Sequence, residues 1–129
     1  MEKTRKGILL VNLGSPDSTK VSDVRKFLRE FLMDGRVLDT PWLIRFFVVH
    51  CFILPFRPRA SAEAYQQIWT SEGSPLVVIS HQVADLLREK VRIPVKLAMR
   101  YQNPSVEEGI EALLKDGVDD ILMIPLFPQ

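Results

Sequence analysis

Hydrophobic and polar residues along the chain alternate between two rhythms. Gly7 to Leu13 (GILLVNL) is an unbroken apolar run closed by Gly14-Ser15-Pro16, the pattern of a strand buried on both faces in a parallel sheet. The period then lengthens. Ser22 opens a stretch in which Val24, Phe27, Leu28, Phe31 and Leu32 recur at helical spacing until Asp34-Gly35, which predicts a helix ending near Met33. Thr40-Pro41 reads as a cap followed by proline at the first helical position, and it launches an apolar run from Trp42 that Pro55 and Pro58 close. Ala60 to Thr70 suits a short helix with Ala64, Ile68 and Tyr65 facing inward. Ser74-Pro75 opens another over Leu76 to Val91, striped by Val78, Val83, Leu86 and Leu87. Pro94 to Arg100 is a second strand. Asn103-Pro104 caps a helix carrying Val106, Ile110, Leu113 and Leu114 before Gly117, and Asp119 to Leu126 (DDILMIPL) is a third strand.

Strand, helices, strand, helix, strand is the grammar of an α/β fold, a parallel sheet flanked by helices. Doubly wound sheets usually carry more than three strands, so the pattern predicts that the domain continues past Gln129. No repeat, low-complexity tract or flexible linker interrupts the chain, which therefore reads as one folding unit. With 17 basic against 16 acidic side chains the net charge is +1, which offers no broad basic face for nucleic acid. Cys51 is the only cysteine, reads as a small buried hydrophobe, and suits a reducing, cytoplasmic compartment. The start of the chain lacks the pattern of a signal peptide. Trp42 to Phe56, broken by Arg45 and His50, falls short of the ~20 residues of a spanning helix.

In open α/β sheets ligands sit outside the carboxyl ends of the strands. Those positions hold Asn12, Leu13 and Gly14, then Arg100 and Tyr101, then Phe127, Pro128 and Gln129. The single glycine of the first loop lacks the G-x-G-x-x-G spacing of dinucleotide binders, and no phosphate-binding P-loop motif occurs. Ser74 at a helix start offers a hydroxyl and free backbone N–H groups to an anion, with Arg57 and Arg59 near in sequence; a helix cap with solvated arginines explains the same residues. Arg100 at a strand's carboxyl edge is costly to bury without a partner, which marks it for a ligand, whereas Tyr101 beside it fits packing equally well. His50 and His81 have no Cys, His, Asp or Glu at metal-ligand spacing, and no Ser-His-Asp or Cys-His set assembles.

Six segments together resemble the N-terminal part of the ferrochelatase family: GILLVNLGSPDS from Gly7, VRKFLREFLMDGRVLD from Val24, ILPFRPRASAEAYQQIW from Ile53, EGSPL from Glu72, MRYQNPS from Met99 and IPLFPQ from Ile124. The resemblance implies part of a chelatase-like, Rossmann-like domain, with the rest of that domain and a second, similar one beyond residues 1–129. It implies insertion of ferrous iron into a porphyrin, both substrates, with no covalently bound cofactor. By the same resemblance Leu13 lines the porphyrin face near the metal, and Phe31 and Val37 supply apolar wall. Arg57 and Ser74 hold a propionate, Tyr65 lies on the propionate side, and Arg100 and Tyr101 form a polar pair at the inner end.

Leu13 stands where relatives resembling coproporphyrin users carry tyrosine, which points to protoporphyrin instead. The family's metallating histidine and opposing glutamate fall beyond this chain, so no catalytic or metal residue is expected within it, and these residues alone are expected to be inactive. A rival expectation is a non-catalytic tetrapyrrole-binding or scaffold module. The run Trp42 to Phe56 is either a buried helix or a lip touching the membrane surface.

Overall fold

The computed structural model describes residues 4–127; Pro128 and Gln129, two of the residues expected at the site, lie outside them. The chain forms two compact units, one made of the segments through Gly14 and from Leu76 onward, the other of Ser15–Pro75. No Gly- or Ser-rich linker marks the two crossings, which is why the sequence reads as one unit.

The first unit is built on three parallel strands, β1 (Lys6–Gly14), β2 (Val95–Tyr101) and β3 (Asp120–Pro125), in the order β2-β1-β3. Val, Ile and Leu on both faces of β1 explain its central place, since each face packs on its own layer. On one side Ile8, Leu10, Val95, Leu97 and Met99 bury against Ala84, Leu76, Val77 and Leu87 of the helix Pro75–Lys90 and against Val91 just after it. On the other, Leu9, Val11 and Ala98 meet Leu113, Val106 and Ile110 of the helix Val106–Lys115. That second helix comes close because Gly109 faces the sheet: a Cβ there would lie 2.7 Å from Leu9 Cδ1 and 3.2 Å from Ala98 Cβ. Its cap is Ser105, whose Oγ accepts from Glu108 N at 3.1 Å, rather than the expected Asn103-Pro104; S-x-x-E is the stronger capping signal.

The inward stripe of Pro75–Lys90 is also displaced from its expected position. Val83 and Leu86 are exposed, while the positions facing the sheet are Leu76, Val77, Ser80, Ala84, Leu87 and Val91. Ser80 turns inward with its hydroxyl bonded to Asn12 of β1, and Ala84 packs in the same core, which leaves the larger hydrophobes one position away outside.

The second unit holds three α-helices, and in chain order the five helices are α1 (Val21–Met33), α2 (Trp42–Val48), α3 (Arg57–Ile68), α4 (Pro75–Lys90) and α5 (Val106–Lys115). Helix α1 starts one residue before Ser22, and Ser18 Oγ, bonded to Asp23 and to the Lys20 amide, holds its first turn. It buries Val24 and Phe27 and packs against α3, which buries Pro58 and Ala62. Ala64 and Ile68, expected inward, are exposed, and Tyr65 is half-buried. Pro41 is the residue before α2 rather than its first helical position, and no side chain caps that end.

A π-helical turn over Val49–Ile53, closed by Leu54 N to Val49 O at 2.8 Å, follows α2 directly. This run does not form the buried helix expected as one alternative. Val49 and Leu54 are buried, but Trp42, Leu43, Phe47, Phe52 and Phe56 are 56–74% exposed. A segment apolar on every side offers more surface than one packing stripe covers. Cys51, expected buried, is exposed in the same turn. Among the described residues no helix is long and apolar enough to cross a membrane.

Candidate functional site

In the sheet unit the chain leaves β1 for a neighbour on one side and reaches β3 on the other, with α4 and α5 on opposite faces. In sheets whose strand order reverses about a central strand, ligands sit at the carboxyl edge, where the loops part. Leu13 and Gly14 are the last residues of β1, and Arg100 and Tyr101 the last of β2, so all four lie on that edge. Gly14 pairs with Tyr101 in the parallel register. It has φ +113, and an added Cβ would run into the Tyr101 carbonyl oxygen, so only glycine lets the two strand ends meet this closely.

Arg100 and Tyr101 are in direct contact. Arg100 Nε donates to the Tyr101 hydroxyl at 3.2 Å, and the guanidinium carbon stands 5.4 Å from the centroid of the same ring. Tyr101 is buried and Arg100 half-buried, so the ring serves both as packing and as a support that orients the cation. The next residue, Gln102, is buried at φ 67. Leu13 is half-buried.

An arrangement the sequence reading did not identify stabilises the end of β1. Asn12 Nδ2 donates to Ser80 Oγ at 2.9 Å, Ser80 Oγ donates to Leu76 O at 2.6 Å, and Asn12 Oδ1 accepts from Leu13 N at 2.8 Å. The relay ties the residue before Leu13 to the first turns of α4. Its signal was present: a serine between Leu76 and Ala84 at four-residue spacing, opposite an asparagine in an otherwise apolar strand.

The other five candidates lie in the helical unit. Phe31, half-buried near the end of α1, stacks on Phe27 at a centroid distance of 6.0 Å. Val37 is half-buried in the turn that follows, with its amide donating to Asp34 O at 3.0 Å. Arg57 is the first residue of α3 and is exposed. Tyr65 lies just over two turns further along and meets Trp69 edge-on at 6.2 Å. Burial raises its phenol above the ordinary tyrosine range, so it stays a neutral hydrogen-bond donor. Ser74 is buried directly before α4, after a tight turn in which Thr70 N and Gly73 N each donate to the other's carbonyl at 3.0 and 3.1 Å. Arg57 and Ser74 thus both stand where a helix begins and the backbone N–H groups and dipole favour an anion.

His50 Nδ1 is engaged with Phe46 O at 2.9 Å, and His81 is exposed on α4. Among the described residues no three His, Cys, Asp or Glu side chains are grouped to hold a metal.

A parallel sheet whose strand order reverses at its centre, with a buttressed cation and a fixed asparagine on the carboxyl edge, defines a Rossmann-like α/β protein, a class whose ligands sit outside that edge. The sequence profile described as Ferrochelatase matches residues 5–129, and the chain belongs to the ferrochelatase family. It is 48% identical over 130 residues to the ferrochelatase of Vibrio atlanticus (strain LGP32), covering 100% of this chain and 41% of that protein. It is 45% identical over 127 residues to the ferrochelatase of Bdellovibrio bacteriovorus, covering 97% and 38%, and 46% identical over 129 residues to that of Coxiella burnetii (strain CbuG_Q212), covering 95% and 35%. The chain thus spans roughly two fifths of the length of these curated relatives.

Proposed function

We propose that the chain is the porphyrin-binding wall of an enzyme that inserts ferrous iron into protoporphyrin to form protohaem. The observation that carries this reading is the family match along nearly the entire chain. In the overall reaction Fe²⁺ enters the macrocycle and two pyrrole N–H protons leave. A propionate is an anion on an apolar disc, and the candidate residues divide along that line. Arg57 and Ser74, at two helix starts, take the carboxylate; Leu13, Phe31 and Val37 take the apolar face and wall; Tyr65 donates on the propionate side. Arg100, oriented by Tyr101, presents a cation at the inner end. A base for the departing protons comes from outside these residues, in keeping with the family resemblance.

Protoporphyrin is favoured over coproporphyrin because Leu13 is apolar where a tyrosine marks relatives resembling coproporphyrin users. The setting is the cytoplasm, with peripheral contact to a membrane through the exposed side chains of Trp42 to Phe56, which suits a greasy substrate. Anaerobic incubation of the full-length protein with ferrous iron and either porphyrin, followed by absorbance, tests the activity. Protohaem formation faster than coprohaem is expected; porphyrin binding without metal insertion would instead support a non-catalytic tetrapyrrole module. For the membrane contact, charged residues at Phe46 and Phe47 should abolish co-sedimentation with liposomes, and unchanged co-sedimentation would refute it.

A further inference from the structure

The helical unit carries a basic groove that none of the porphyrin roles uses. It has a volume of about 510 Å³ and is lined by Ser22, Arg25, Lys26 and Arg29 of α1 together with His50, Leu54 and Pro55. The four α1 residues fall at i, i+3, i+4 and i+7 and so form one stripe, turned away from the buried Val24 and Phe27. Arg25 Nε donates to Leu54 O at 3.3 Å, which holds that guanidinium at the groove. Among the described residues Arg25, Lys26 and Arg29 make no ion pair, and the nearby carboxylate Asp23 is engaged by Ser18 Oγ. Three cations therefore face a concave surface without an acidic partner.

The groove adjoins the exposed apolar run. His50, on its wall, stacks on Phe46 with centroids 4.1 Å apart, and Phe46 stacks on Trp42 at 5.1 Å. Beyond His50 the same run exposes Phe52 and Phe56. An aromatic surface leading into an unpaired cationic groove is complementary to one partner, a bilayer whose leaflet carries anionic headgroups: rings enter the headgroup boundary while the guanidinium and ammonium groups meet phosphate.

We propose that this groove binds the phosphate of an anionic phospholipid and makes membrane attachment selective for anionic leaflets. The inference deepens the membrane contact proposed above and rests on it. The test uses full-length protein with vesicles of phosphatidylcholine alone, and with vesicles in which roughly one lipid in three is phosphatidylglycerol. Each basic side chain near an anionic surface contributes about fivefold to partitioning, so Arg25→Gln/Lys26→Gln/Arg29→Gln should weaken binding to the anionic vesicles by about 100-fold at low salt. Binding to phosphatidylcholine should be unchanged. The control Lys90→Gln/Arg92→Gln/Lys115→Gln removes three exposed cations from the sheet unit and should have little effect.

All three substituted groove side chains are exposed, so folding should survive, and high salt should reproduce the loss in the unaltered protein. Anionic-vesicle binding by the groove variant equal to wild type, or an equal loss in the control, would overturn the proposal. Phe47→Glu/Phe52→Glu should lower binding to both vesicle types. Failure of that variant alone removes the apolar contact of the proposed function, and it is distinguishable from failure of the groove.

Discussion

Replacing Gly14 by alanine separates two physical costs that the structure assigns to the carboxyl edge of the sheet. Gly14 has φ +113 and Gly73 has φ +118, so alanine at either site adopts a backbone conformation that L-residues avoid, at about 1–3 kcal/mol. Their surroundings differ. Apart from its chain neighbours, no described atom lies within 4 Å of a Cβ built on Gly73, whereas one on Gly14 runs into the Tyr101 carbonyl oxygen. Relieving that overlap requires the paired ends of β1 and β2 to separate, which should add about 1–3 kcal/mol, the range for overpacking a closed site. Gly14→Ala should therefore lower the thermal midpoint of the full-length protein more than Gly73→Ala, by about 2–4 °C per kcal/mol of extra cost. Differential scanning calorimetry of the two variants side by side makes the comparison. Equal midpoints would refute the claim that the Gly14–Tyr101 approach is sterically closed. The same shift moves Leu13 and Tyr101, so porphyrin affinity should fall in Gly14→Ala.

Ser80→Ala deprives Asn12 Nδ2 of its acceptor and should cost about 1–3 kcal/mol by urea denaturation; no loss would mean that water satisfies the amide equally well. The Tyr65 phenol, isolated as the difference between wild type and Tyr65→Phe in a phenolate absorbance titration, should ionise above its usual range. Because its folded pKa is raised by burial, the contribution to stability is complete below the unfolded value of 10.0 and is lost as pH climbs through the folded one; ionisation at or below 10.0 would refute the burial. A polypeptide of residues 1–129 alone should insert neither iron nor zinc into porphyrin, since among its described residues no three His, Cys, Asp or Glu side chains are grouped to hold a metal, and any absorbance change to metalloporphyrin would contradict this.

How much of this was legible in the sequence depended on whether one periodicity dominated locally. The strands were readable because Ile8 to Val11 and Leu97 to Met99 are apolar at successive positions, a pattern that burial on both faces of a parallel sheet produces. Helix α4 was readable as a helix, but its rotation was not. The buried positions are Ser80, bonded to Asn12, and Ala84, residues too small or too polar to register as a hydrophobic stripe, rather than Val83 and Leu86. The run from Trp42 gave the opposite difficulty: hydrophobicity on every side fixes no buried face, and packing covered only Val49 and Leu54. Of the candidate site, Arg100 beside Tyr101 was visible from its position at a strand end. The Asn12–Ser80 relay and the groove stripe join residues by geometry that spacing within either segment does not reveal, the first across 68 positions and the second between α1 and the turn at His50.

The central claim, a porphyrin propionate held at the start of α3 and before α4, is tested most directly by steady-state iron insertion with Arg57→Ala and Ser74→Ala. Loss of a charge-assisted contact to a substrate carboxylate is worth about 1.5–3 kcal/mol, so Arg57→Ala should raise the KM for protoporphyrin roughly 10- to 100-fold with kcat little changed, and Ser74→Ala should raise it less. A porphyrin whose propionates are esterified should show no difference between Arg57→Ala and wild type. An unchanged KM with protoporphyrin, or an equal penalty with the ester, would contradict the account.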